Sequence, residues 1–404
     1  MAHMRDASIY FDHNATTPLH LAVWEAMCPF LTGVFGNPSS LHREGQEART
    51  AIEEARGHVA QLLGATPEEI VFTSGGTEAD NLAILGSMLA RRRRGGQIIT
   101  SQIEHPAVLG SCQFLETRGF RVSHLPVSSA GLIDPDDLAK ALTDDTLLVT
   151  LMHANNEVGT LQPICECAAI ARARGVLMHT DAVQSAGKMP VFVDELGVDL
   201  LSLSGHKIYG PKGSGALYVR RGIALEPLVT GGPQEQGLRG GTESVAAIVG
   251  LGVAARLAAA DRPAEIARVA ALRDRLEQGI LASVPEVLAN GATAPRLPTT
   301  TNLSFRGVDG QSLVVALDLK GVATSTGSAC SSGSLEPSHV LIAMGLSAEW
   351  LHGAVRFSLG RGNTPEEVDL LVQILPSIVA RLRQHASGSI RQATTLHSPR
   401  PRRV

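Results

Sequence analysis

Short runs of β-branched and apolar residues recur through the first half of the chain, separated by stretches in which apolar positions follow helical spacing. The runs are Ile70-Val71-Phe72-Thr73, Gln97-Ile98-Ile99-Thr100, Thr146-Leu147-Leu148-Val149-Thr150, Val176-Leu177-Met178-His179 and Leu200-Leu201-Ser202-Leu203. Strands alternating with helices predict βαβ units, hence an α/β fold with a mostly parallel sheet flanked by helices. Ligands bind such sheets beyond the carboxyl ends of the strands. Those ends carry Ser74-Gly75-Gly76-Thr77, Glu104-His105, His153-Ala154-Asn155-Asn156, Asp181 with Gln184, and Ser204-Gly205-His206-Lys207, so polar chemistry collects along one edge. Over 254–288 the pattern becomes long Ala/Arg/Leu-rich helix, a spine into a second lobe. Strands at 301–305 and 314–319 and an amphipathic helix over 365–384 are expected to build that smaller α+β lobe. The Ser/Arg/Pro-rich stretch 386–404 reads as a disordered basic tail.

Composition narrows the function classes. A chain of 404 residues with 44% apolar and 18% charged side chains can bury a full-sized core, which excludes a disordered or fibrous protein. Basic and acidic residues nearly balance, 35 against 39, so no global basic field draws the chain to nucleic acid or anionic lipid. The run Arg91-Arg92-Arg93-Arg94 reads as a solvated helix end that complements the helix dipole. No run approaches eighteen apolar residues and the N-terminus lacks an apolar signal core, so neither a membrane span nor a secretory leader is expected. Five cysteines are too few and too irregular for a disulfide framework, which favours a reducing, cytoplasmic setting.

The first chemical element is the strand, glycine turn and helix start around Gly75-Gly76-Thr77, with Thr77 expected as the cap. Free amides and a helix dipole there favour a phosphate, although a glycine turn that merely caps a helix fits equally well. It lacks the spacing of a P-loop or a dinucleotide fingerprint, which argues against ATP and NAD. The second element pairs Asp181 at one strand end with Lys207 at the next. That combination suits pyridoxal phosphate: Lys207 holds the aldehyde as a Schiff base, and Asp181 keeps the pyridine nitrogen protonated so that the ring is an electron sink. Ser204, Gly205 and His206 stand within reach of the phosphate. The third element is Cys330, flanked by small residues over 325–335. Little packing there implies access, which suits a reactive thiol. Cys28, Cys112, Cys165 and Cys167 lie in apolar, helical surroundings and read as inert.

With these residues in this order the chain resembles a cysteine desulfurase of the NifS/IscS kind, within the pyridoxal-phosphate-dependent class V aminotransferases. The likeness runs over 9–382. It rests on Phe11-Asp12-His13-Asn14-Ala15-Thr16-Thr17-Pro18, Phe35-Gly36-Asn37-Pro38-Ser39, Asn155-Asn156-Glu157-Val158-Gly159, Ser204-Gly205-His206-Lys207-Ile208-Tyr209-Gly210-Pro211-Lys212-Gly213 and the segment around Ser328-Ala329-Cys330-Ser331-Ser332-Gly333. His105-Pro106-Ala107-Val108, Gly159-Thr160-Leu161 and Ser338-His339-Val340 resemble the nitrogen-fixation, NifS branch more than the housekeeping one. His13 and Gln236 depart from the residues relatives often show.

The resemblance implies the type I pyridoxal-phosphate aminotransferase fold. Its large domain would span 14–258 and its small domain 1–13 with 259–385, the small domain carrying the cysteine loop. It implies conversion of L-cysteine to L-alanine with sulfane sulfur left on Cys330 as a persulfide and then given to an iron–sulfur scaffold protein. Catalytic roles would fall to Lys207, Cys330 and His105, with His105 stacking on the pyridine ring. Gly76, Thr77, Asn156, Asp181, Gln184, Ser204, Gly205 and His206 would hold the cofactor, Gln184 and Asn156 near its ring oxygen. Asn14, Asn156 and Arg356 would bind the substrate carboxylate. Thr242 would reach the phosphate of the other subunit of a homodimer, and the Cys330 persulfide would be a transient ligand to iron–sulfur. A housekeeping desulfurase, a selenocysteine lyase on the same fold and a non-enzymatic scaffold are the rival expectations; the last would have no use for Lys207 and Cys330.

Overall fold

The computed structural model describes residues 9–91, 95–327 and 337–395, with backbone course alone for 261–263 and 386–395. The strands are β1 (Ile9–Tyr10), β2 (Ile70–Thr73), β3 (Gln97–Ser101), β4 (Arg121–Leu125), β5 (Thr146–Thr150), β6 (Leu177–Asp181), β7 (Leu200–Ser204), β8 (Gly215–Val219), β9 (Val287–Asn290), β10 (Thr300–Phe305), β11 (Val322–Ala323) and β12 (Ala354–Ser358). A seven-stranded sheet has the order β2-β8-β7-β6-β5-β3-β4 and is parallel except for β8, which runs against both neighbours. Five of these strands, β2, β3, β5, β7 and β8, are buried along their whole length. Burial on both faces is why their sequences read as continuous apolar runs rather than alternating ones.

Helices Arg43–Leu63 and Val245–Ser283 pack on this sheet, and Ile52, Val59, Leu63, Leu251 and Ala255 join Phe72, Val149 and Leu203 in one core. A second core gathers Ile9, Phe11, Leu276, Leu303, Phe357 and Leu371 around the antiparallel sheet β12-β10-β9 and the parallel pair β1–β11. The helix Val245–Ser283 lines both cores, so the expected spine is present. No helix among the described residues is long and apolar enough to cross a membrane.

Three expectations change. Residues 314–319 are not a strand but belong to the helix Gly310–Asp318, because the Asp309 side chain caps the Ser312 amide and Leu313, Ala316 and Leu317 fall on one buried helical face. Thr77 does not cap its helix: Gly75 holds the cap position of Gly76–Asn81, and no side chain accepts from the first turn. The last helix, Pro365–Thr395, runs on past residue 386, since extending a formed helix costs little; residues 396–404 lie outside the described residues.

Glu104 fixes the approach to the polar edge. It is fully buried just beyond β3, where its Oε1 accepts from the Ser101 hydroxyl and from the Met152 amide at 3.1 Å, tying the ends of β3 and β5 together. Burial pushes its carboxyl up to about 8 against the opposing pull of those two bonds. The group is therefore neutral in the fold while it ionises near its ordinary value in the unfolded chain. Its contribution to stability is present at low pH and is lost as pH rises from that ordinary value to about 8. Glu104→Gln removes the dependence: its melting temperature relative to the parent should rise between about pH 5 and about pH 8 by roughly 2 °C or more. A difference that does not change with pH would contradict a buried neutral acid.

Candidate active site

The carboxyl ends of β2, β5, β6 and β7, with the turn after β3, open into one cavity of about 270 Å³. Its wall includes Gly76, Thr77, His105, Asn156, Asp181, Gln184, Ser204, His206 and Lys207, all singled out from sequence, together with Ala15, Asp80, Met152, Ala154 and Val183, which were not. Gly205 stands directly behind, and a Cβ there would meet Ser214 Oγ at 2.4 Å. At Gly76 a Cβ would lie 2.7 Å from Val183 Cγ2, so both positions require glycine to let the backbone approach.

Lys207 ends the short 3-10 turn that follows β7, and its Nζ donates to the carbonyls of Asn14 at 2.5 Å and Ala15 at 2.9 Å. These carbonyls belong to a strap of chain laid across the two cores. Asp181 is buried at the end of β6 and accepts from the Val183 amide at 2.9 Å. Burial raises its carboxyl, opposed by His105, the Val183 amide and Lys207. Asp80 lies beside it, fully enclosed, and ligating atoms of Asp80, His105 and Asp181 all fall within 4.8 Å of one another. Burial and then the Asp181 charge hold Asp80 well above the usual carboxylate range. Burial raises both carboxyls, Asp80 the further: its Oδ1 has no hydrogen-bond partner among the described residues, whereas Asp181 faces the two basic groups. Asp80 is legible in sequence only as a charged residue one helical turn after Gly76.

His105 caps the helix Pro106–Glu116, its Nδ1 accepting from the Ala107 amide at 3.1 Å. That bond sets the tautomer, leaving the ring proton on Nε2. His206 Nδ1 shares a proton with Thr16 Oγ1 at 3.1 Å, and burial with the charges of Lys207, Lys212 and Lys188 pushes it down to about 4, so it is neutral. His13 is likewise neutral, pushed to about 4 by burial, and its Nδ1 meets the Ser358 carbonyl at 3.1 Å.

Arg356 is the largest of the fully buried side chains and lies on β12, not at the surface. Its Nη2 pairs with Asp12 at 2.7 Å and its Nη1 donates to Asn156 O at 2.9 Å, while its Nε has no partner among the described residues. A buried, unpaired guanidinium N–H is costly, and an anion relieves that cost. Asn14 is buried, and its Nδ2 donates to Thr300 Oγ1 at 2.9 Å and to Asn156 O at 3.1 Å. Thr242 is exposed and stands outside the cavity wall of the single chain. Cys330 lies outside the described residues. Of the cysteines expected to be inert, Cys112 and Cys167 are buried, with thiols pushed up to about 12 by burial, whereas Cys165 is exposed on its helix.

These groups fit pyridoxal phosphate. The cavity offers an amine, an acid enclosed with a second acid that can stay protonated, a flat-faced imidazole, and a glycine-lined end where only backbone can approach. The sequence profile described as aminotransferase class-V matches residues 9–371. A cysteine desulfurase IscS of Dictyoglomus turgidum is 52% identical over 375 residues, covering 93% of this chain and 95% of that protein. A cysteine desulfurase of Nostoc sp. is 50% identical over 375 residues, 93% of this chain and 94% of that protein. Among solved structures, a NifS-like protein is 38% identical with a TM-score of 0.87, over 93% of this chain and all of that one. A structure titled SspA in complex with cysteine is 42% identical with a TM-score of 0.79, over 87% of this chain and 99% of that one. By fold, cavity and kinship the chain belongs to the cysteine desulfurases, pyridoxal-phosphate enzymes of the class-V aminotransferase family.

Proposed function

We propose that the chain converts L-cysteine to L-alanine and delivers the sulfur, through a persulfide on Cys330, to an acceptor protein of iron–sulfur cluster assembly. The observation that carries this reading is the meeting of Lys207, Asp181, His105, Asn156 and Gln184 in one cavity, with the Nε–H of Arg356, unpaired among the described residues, behind Asn156. When bound, pyridoxal phosphate supplies an electron sink for the substrate's carbon skeleton. Lys207 would be its point of attachment and the base that carries the substrate's α-proton. The Asn14 and Ala15 carbonyls hold the amine in place between these tasks. Asp181 keeps the ring nitrogen protonated, and Gly76, Thr77, Ser204, Gly205 and His206 hold the phosphate. His105 presents Nε2–H to the cavity as stacking partner and proton carrier. Arg356 takes the substrate carboxylate bidentately, exchanging its bond to Asp12 for one to substrate, with Asn14 and Asn156 beside it.

Cys330 attacks the substrate sulfur. The carbon–sulfur bond breaks, a sulfur–sulfur bond forms, and the carbon fragment leaves with the electrons as the methyl group of alanine. In sum, L-cysteine and one thiol become L-alanine and one persulfide. The persulfide then serves as sulfur donor and transient ligand at the acceptor. The division into a large domain over 14–258 and a small one of 1–13 with 259–385 is supported by the separate hydrophobic clusters of the two lobes. A cytoplasmic setting suits the unpaired cysteines. Motif detail around His105, Gly159 and Ser338 favours nitrogenase-related sulfur supply; a housekeeping role is the second reading, favoured by relatives that bear the IscS name.

A homodimer completes the site, Thr242 reaching the partner's phosphate. Support comes from the apolar side chains left in water on the N-terminal helix and the loop after it: Leu21, Trp24, Leu31, and above all Phe35, 82% exposed, and Leu41, 92% exposed.

Cys330→Ser should still bind L-cysteine and change the cofactor's visible spectrum while alanine output falls at least about a hundredfold, roughly 3 kcal/mol of barrier. Lys207→Ala should lose both the band of the covalently held cofactor and turnover. Undiminished alanine from Cys330→Ser would contradict the persulfide route. Scaffold proteins of the nitrogen-fixation and housekeeping systems, offered to the same assay, decide the acceptor by which one accelerates turnover. Analytical ultracentrifugation at micromolar concentration should give a dimer, with an interface above roughly 2,000 Å²; a fully active monomer would refute the shared site.

A further inference from the structure

Beside Lys207 lies a second enclosed amine that the proposed chemistry does not use. Lys188 stands in the turn after Gln184; its stem is partly exposed, but its Nζ points inward and donates to Gln184 Oε1 at 2.7 Å and to Asn14 Oδ1 at 3.1 Å. Gln184 Nε2 donates to the Asn14 carbonyl at 3.0 Å, so the three residues close a ring of hydrogen bonds. Asn14 then spends its own amide N–H groups on Thr300 Oγ1 and Asn156 O.

Both partners of the Lys188 amine are amide oxygens, so the amine donates to each, and as an ammonium it has no lone pair with which to accept. Turning the Gln184 amide end for end would set its NH2 group against that ammonium and its oxygen against the Asn14 carbonyl, donor facing donor and acceptor facing acceptor. Lys188 therefore fixes which end of Gln184 is left for the cavity that Gln184 lines: one N–H is used on Asn14 and the other stays available. We infer that Lys188 is a positioning residue that holds the Gln184 amide with an N–H, and not its oxygen, turned to the cofactor's ring oxygen. The inference rests on the reading that the cofactor occupies this cavity with Gln184 at that oxygen.

The charged and titratable groups around Lys188 include Lys207, Arg356, His13 and His206, and Tyr209, Glu265 and Arg361 line one cavity with it. Burial, with the Lys207 and Arg356 charges, holds the Lys188 amine well below the ordinary lysine range. Charge alone is thus a rival explanation for any effect of its removal, and the experiment has to separate the two.

An N–H against the ring oxygen favours that oxygen's anionic form, so its loss raises the pH midpoint of the bound cofactor's visible band. Absorption titrations of the holoenzyme compare the parent with Lys188→Arg, Lys188→Met, Gln184→Leu and the double variant. Lys188→Met should raise the midpoint by about one pH unit, the size of one charge-assisted hydrogen bond. Lys188→Arg, which keeps donor and charge, should stay within about 0.3 units of the parent, and Lys188→Met should add less than about 0.3 units on the Gln184→Leu background. An equal shift on both backgrounds would mean that Lys188 acts by charge and would overturn the inference, as would no shift at all. Should Lys188→Met fail to fold, Lys188→Leu, which likewise carries no donor, takes its place with the same expectations. A parent protein with no visible band after incubation with pyridoxal phosphate would overturn the cofactor reading and the inference together; a band insensitive to Lys188 would overturn the inference alone.

Discussion

One strap of chain, residues 11–17, runs from the smaller hydrophobic core to the edge of the larger sheet, and the site depends on how that strap is held. Phe11 is buried in the smaller core, while the Asn14 carbonyl takes the Lys207 amine at the edge of the larger sheet. Between them Asp12 pairs with Arg356, the His13 and Asn14 amides bond to Ser358, and Thr17 bonds through both its amide and its hydroxyl to the His206 carbonyl. A short segment with few apolar anchors is thus fixed almost wholly by hydrogen bonds. Their geometry sets the distance between the lysine on one side and the arginine on the other.

Electrostatics make the same edge expensive to build. Asp80, Glu104 and Asp181 are all enclosed, and burial raises each carboxyl. Three buried anions would be prohibitive, and Asp181 is the acid whose shift His105 and Lys207 oppose. That placement is useful chemically, because Asp181 stands at the strand end where a pyridinium nitrogen would need a partner. Lys188 extends the logic to amines: enclosed beside Lys207, it is tolerated because two amide oxygens accept from it.

Sequence reading reached those parts of this arrangement that depend on local pattern. β2, β5 and β7 announce themselves because both faces are buried, and the strand ends then place Asp181, His105, Asn156 and Lys207 on one edge before any contact is known. β4 carries exposed Arg121 and His124 on a sheet edge and so has no such run. Residues 314–319 read as a strand because Val314-Val315-Ala316-Leu317 is apolar and β-branched, and only the Asp309 cap decides for the helix Gly310–Asp318. Asp80 and Lys188 escaped notice for a different reason: their importance lies in being buried against residues 101 and 174 positions away in sequence, Asp181 and Asn14 respectively. Arg356 was legible as a family motif, but its burial and its bond to Asp12 were not.

The central claim is that, of two amines that both donate to Asn14, Lys207 and not Lys188 carries the cofactor. Borohydride reduction of the holoenzyme, followed by peptide mass mapping, tests it most directly. A pyridoxyl adduct confined to the peptide containing Lys207 is the result this account requires; an adduct on Lys188 would contradict it.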